Sequence, residues 1–86
     1  MITIDAFKAY GTHTGSPAQM PLDEITLLAS PVALRMLGSF LLRAAQRMQE
    51  DGMEHLHLQD AWAGFDPGRH VDLVLVNNEQ AAAHAP

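Results

Sequence analysis

SPVALRMLGSFLLRAAQRMQEDG, residues 30–52, is the stretch that decides how this chain folds. It is the one long segment with a helical period, and it carries its own stops. Ser30 is placed as N-cap, its hydroxyl accepting from an orphan N–H of the first turn. Pro31 follows at the first helical position, where a missing N–H costs nothing. Gly52 suits the left-handed conformation that closes the other end. At 1.5 Å per residue the helix is roughly 30 Å long. Leu34, Leu37, Leu41, Ala44, Ala45 and Met48 fall on one face, with Arg35, Ser39, Gln46 and Glu50 opposite. That stripe predicts packing on a sheet. Gly38, at its edge, costs about 1 kcal/mol of helix propensity against alanine. It predicts the close approach of a strand. Met36 and Phe40 project to the flank beside Arg43 and Arg47. Two readings stand for them: cover by the chain's own loops, or a partner surface with the aromatic, Met and Arg composition of interface hot spots.

Working outward toward the N-terminus, Leu22–Ala29 (LDEITLLA) alternates. Ile25, Leu27 and Ala29 oppose Glu24 and Thr26, which predicts a strand running straight into the Ser30 cap. Ile2–Tyr10 (ITIDAFKAY) predicts an earlier strand. Between them GTHTGSPAQMP reads as a loop, with His13 solvated in it. On the C-terminal side, Glu54–Asp60 predicts a third strand, with Leu56 and Leu58 on one face and His55, His57 and Gln59 on the other. In the connection that follows, Asp66-Pro67-Gly68-Arg69 has the pattern of a type II turn, with Gly68 at positive φ. His70–Asn77 (HVDLVLVN) is the strongest β signal. Val71, Leu73 and Leu75 form one face; Asp72, Val74 and Val76 form the other. Two largely apolar faces predict an interior strand, or one covered by a partner.

The order ββαββ predicts an α+β fold: a four-stranded, mainly antiparallel sheet with the long helix packed on one face. It makes a single domain over residues 1–77, followed by a flexible C-terminal tail, 78–86. The sheet's second face leaves Val74 and Val76, with Phe7 and Leu28, in water unless a partner or a second copy covers it.

Composition narrows the function classes. Eighty-six residues make one small core with little margin. There is no cysteine, which excludes disulfides, thiolate metal sites and thiol catalysis. No apolar run approaches the roughly 20 residues that span a bilayer. MITIDAF lacks the basic and apolar regions of a signal peptide, so a cytoplasmic protein is expected. Formal net charge is −5 with only five Lys or Arg. That is a poor match for nucleic acid, whose phosphates need a basic patch. An acidic surface steers toward a basic partner, and equally keeps a small domain soluble.

His55-x-His57 is the one constellation with ligand chemistry. Residues i and i+2 of a strand share a face, so both imidazoles can converge on a zinc ion, with His70 or Asp72 as third donor. The plainer reading is two half-exposed strand histidines. No sequence pattern of an enzyme is present, and a single helix on a small sheet offers no deep cleft for general acid–base work. Trp62 and Phe65 lie in a connection, where they either cap the small core or serve as aromatic anchors for another protein. With Met36, Phe40, Arg43 and Arg47 they form the candidate partner-binding set.

EITLLASPVALRMLGSFLLRAAQRMQEDGMEHLHLQD, Glu24–Asp60, resembles small predicted immunity proteins of bacterial polymorphic-toxin systems and their relatives without assigned activity. The shared pattern is a strand, a Ser-Pro cap, a long helix and a His-containing strand ending in Asp, about half of the chain. The resemblance implies a non-enzymatic cytoplasmic protein, without cofactor, that neutralises a toxin by stoichiometric binding. Two readings stand beside it: a metal- or small-ligand-binding domain using the strand histidines, and a homodimer. In the binding reading, Trp62→Ala or Phe40→Ala weakens the complex without unfolding the domain.

Overall fold

The computed structural model describes residues 3–79. Its elements run β1 (Ala9–Gly11), β2 (Met20–Leu22), α1 (Pro31–Asp51), β3 (His55–His57), α2 (Leu58–Ala61) and β4 (Val74–Val76).

The helix forms where its signals place it. Ser30 sits in extended backbone (φ −71°, ψ 160°), and its Oγ accepts the Ala33 N–H at 3.1 Å. Gly52 closes the other end at φ 66°, ψ 27°, its N–H donating to the Met48 carbonyl at 3.2 Å. The buried stripe, however, is turned toward Phe40. Phe40 (8% exposed) and Ala44 are buried, with Ala33, Leu37 and Met48 partly so. Leu34 and Leu41, expected in the core, are 45% and 46% exposed. A β-carbon at Gly38 would meet nothing within 4 Å, so no strand approaches it among the described residues.

The four-stranded sheet is replaced by two separate two-stranded antiparallel ribbons, β1–β2 and β3–β4. In the first, Ala9, Tyr10 and Gly11 face Leu22, Pro21 and Met20. Pairing thus falls at the edges of the expected loop. Residues 3–8 and 23–29 belong to no strand, and Ile2 lies outside the described residues. The intervening turn is closed by the Ser16 N–H on the His13 carbonyl (3.1 Å) and by Gly15 at φ 84°.

In the second ribbon His55, Leu56 and His57 face Val76, Leu75 and Val74. Backbone bonds extend it by one pair at each end, Leu58 N–H to the Leu73 carbonyl (2.9 Å) and Asn77 N–H to the Glu54 carbonyl (2.8 Å). The expected third strand stops short because the chain turns into α2 at Leu58. That turn is held from a distance: Asp72 Oδ1 accepts the Gln59 N–H at 3.0 Å, satisfying a first-turn donor that α2's own N-cap leaves open. The core is correspondingly small: Phe40, Ala44 and Leu58 are its buried apolar side chains. Asn77 ties off the ribbon, its Nδ2 donating to the Met53 carbonyl (3.1 Å) and its Oδ1 accepting from Glu79 N–H (3.0 Å). The expected tail begins here, and its residues 80–86 lie outside the described part.

Candidate functional site: the open face of the second ribbon

Alternation in β3 and β4 sorts their side chains by face. His55 and His57 lie on the same side as Val76 and Val74, their cross-strand partners. This is the face left open, and both valines are exposed. The face assignments read from alternation therefore hold, although β4 is an edge strand and not an interior one.

The two imidazoles meet edge-on, centroids 5.4 Å apart at 80°. His57 is the fixed member. Its Nδ1–H donates to Asp72 Oδ2 at 2.9 Å, since a carboxylate only accepts. Burial pushes the Asp72 carboxyl up. The hydrogen bonds from His57 and Gln59, the charge on His57 and the bond from Leu73 outweigh burial, and its pKa lies below the ordinary 3.8. Asp72 thus joins β3, α2 and the approach to β4 through one side chain. The His57 Nε2 has no hydrogen-bond partner among the described residues. A shallow cleft of about 180 Å³ runs beside it, lined by Arg47, Met53, His55, His57, Asp60 and Ala61 among others.

His70 stands elsewhere. Its Nδ1 accepts the Asp66 N–H at 3.0 Å, and its ring packs against Trp62 (centroids 4.6 Å apart) and Phe65 (5.7 Å). Among the described residues no three His, Asp or Glu side chains gather as a closed metal site requires, so His55, His57 and His70 are not brought to one point. The Asp66–Arg69 turn is closed as expected, Arg69 N–H on the Asp66 carbonyl at 2.9 Å, but it is not type II. Gly68 keeps a negative φ because its N–H is claimed by Asp66 Oδ1 at 2.9 Å. An Asp at the first position favours this side-chain bond to the backbone two residues on.

Of the expected contact residues, Met36, Arg43, Arg47 and Trp62 are exposed and Phe65 is half-buried. Trp62 lies over Gly64 and His70 and stays 39% exposed. Phe40 is corrected. It is buried at 8% exposure, on the side of the helix that faces the core, as the reading of cover by the chain itself expects. Arg47 pairs loosely with Asp51 at 3.9 Å, and as an exposed pair this contributes little. The residue that sequence reasoning undervalued is Asp72: it appeared as one option for a third metal donor, and its place in a chain-specific register gives it the central hydrogen bonds.

The arrangement is that of an acidic α+β protein with a small core and exposed apolar, aromatic and imidazole groups. A family model for Immunity protein 32 matches residues 24–78, and the chain belongs to that family. Comparisons with curated proteins and with solved structures found no match.

Proposed function

We propose that the protein is a cytoplasmic immunity protein that neutralises a toxin by stoichiometric binding, without chemistry or a cofactor of its own. The observation that carries this reading is membership of the Immunity protein 32 family across residues 24–78. The exposed surface supports it. Val74, Val76, Trp62 and Met36 offer apolar contact area, His55 and His57 offer polar groups beside it, and Arg43 and Arg47 line the helix flank. A net charge of −5 favours a basic toxin.

The test is affinity capture with the tagged protein from its native host, followed by growth assays of each captured protein expressed alone. A captured protein that arrests growth, is rescued by co-expression and binds one-to-one supports the reading. Rescue at far less than stoichiometric amounts would mean catalysis and overturn it.

A further inference from the structure

His55 and His57 have the chemistry of metal ligands and, in the fold, their spacing. Residues i and i+2 of β3 share a face, and both side chains line the same cleft, which residues of α1 and α2 also line. Asp72 decides which nitrogen His57 offers. Its Oδ2 accepts the Nδ1–H at 2.9 Å, so the lone pair sits on Nε2. Its Oδ1 accepts the Gln59 N–H at 3.0 Å, so the carboxylate is held on both oxygens. A carboxylate behind a histidine fixes the ring and raises the basicity of the far nitrogen, as it does behind zinc-bound histidines. Spacing then selects the ion. Zn–N bonds of about 2.0–2.1 Å put each ring centre about 3.2 Å from the ion, so two imidazoles at a tetrahedral angle stand about 5.2 Å apart. Adjacent square-planar ligands stand at about 4.5 Å and opposite ones at about 6.4 Å. The His55 and His57 centroids are 5.4 Å apart, nearest the tetrahedral value.

We propose that His55 and His57 together bind one zinc ion, with Asp72 positioning His57 and water completing the tetrahedron. No third His, Asp or Glu joins the pair among the described residues, so the site is open and exchangeable, unlike a closed structural site. His70 is not a member: its Nδ1 accepts the Asp66 N–H and its ring packs on Trp62. The charges around the cleft leave room for a cation. Arg47 and Asp60 line it with opposite signs, and Arg47 is further shared with Asp51 at 3.9 Å. The ion is a ligand of this surface and not a reagent of neutralisation, so the inference stands apart from the toxin reading and requires only the protein itself.

The experiment is a zinc titration of the purified, untagged full chain, read by calorimetry and by the ring nitrogen resonances of its five histidines. No cysteine competes for the ion. One zinc per chain is expected, with the largest shifts at the His55 and His57 rings. The His57 shift should fall on Nε2 while Nδ1 keeps its proton. His55→Ala and His57→Ala should each weaken binding at least about tenfold. His55 is exposed, so His55→Ala keeps its helical signal and carries the test even if His57→Ala unfolds. Asp72→Asn should weaken binding by about 10–100-fold and let both tautomers of His57 appear in the zinc-free spectrum. Unchanged affinity in Asp72→Asn would strip Asp72 of its positioning role. Absence of one-to-one binding at zinc concentrations up to about 100 µM would overturn the proposal. So would binding that His55→Ala leaves unchanged, or shifts led by His13 or His70. Binding of copper without zinc would also overturn it, because the pair would then not close on a tetrahedral ion.

Discussion

Phe40 carries more of this molecule than its place on the helix flank suggested. With Ala44 and Leu58 it makes up the buried apolar core. Truncating a buried phenylalanine costs about 3–5 kcal/mol, a large share of the stability of a domain this small. Phe40→Ala should therefore abolish the cooperative thermal transition seen by circular dichroism, whereas Met36→Ala, one turn away and exposed, should leave it within about 0.5 kcal/mol. A folded Phe40→Ala protein would return the residue to the surface. Asp72 governs pH dependence in the same way. Its folded pKa is lowered, so the unfolded chain binds the proton more readily. Its contribution is complete above the ordinary carboxylate value near 3.8 and is lost as pH falls through the lower folded value. The melting temperature should drop on acidification below about pH 4 in the parent, and this part of the drop should vanish in Asp72→Ala, which at neutral pH costs about 1 kcal/mol.

At the scale of elements, the caps give the sharpest expectations. Ser30→Ala should cost about 1 kcal/mol by losing the bond to Ala33. Gly52→Ala should cost about 1 kcal/mol because the residue sits at φ 66°. Gly38→Ala should do the reverse and stabilise α1 by about 0.5–1 kcal/mol, since its β-carbon meets open space. Denaturant melts of the three variants check the signs, and a destabilised Gly38→Ala would show that something packs there after all. The helix was legible in the sequence because its cap, its proline and its closing glycine are all local. The strands were legible in part: β3 and β4 fall inside the expected Glu54–Asp60 and His70–Asn77, whereas β1 and β2 lie at the edges of the expected first loop. Leu22–Ala29 alternates well but pairs only at Leu22 among the described residues, while β2 has Pro21 at its centre, opposite Tyr10. Alternation fixes which face a residue takes, and it grouped His55 with His57 and Val74 with Val76; the register puts the two pairs on one face. Alternation itself says nothing about who pairs with whom. The His57–Asp72 bond spans 15 residues and the Asp72–Gln59 bond 13, so both depend on a register that no local pattern encodes.

At the scale of the whole molecule, the proposed function predicts that charge and anchoring separate in the kinetics of binding to a toxin. An acidic chain of net charge −5 meeting a basic toxin gains encounter rate from long-range attraction, which salt screens. Raising ionic strength from about 50 to about 500 mM should lower the association rate by roughly tenfold and change the dissociation rate little. Trp62 acts at the other end of the process. It is braced by His70 and Gly64, so it offers aromatic area already ordered before contact. Trp62→Ala should therefore raise the dissociation rate, by tenfold or more at a cost of about 1.4 kcal/mol or above, and leave association nearly unchanged. Surface-based binding kinetics at several salt concentrations distinguish the two effects directly. An association rate insensitive to salt would mean a partner without complementary charge. A Trp62→Ala variant with unchanged dissociation would confine Trp62 to bracing the connection, and move the anchoring role to Val74, Val76 and the helix flank around Met36.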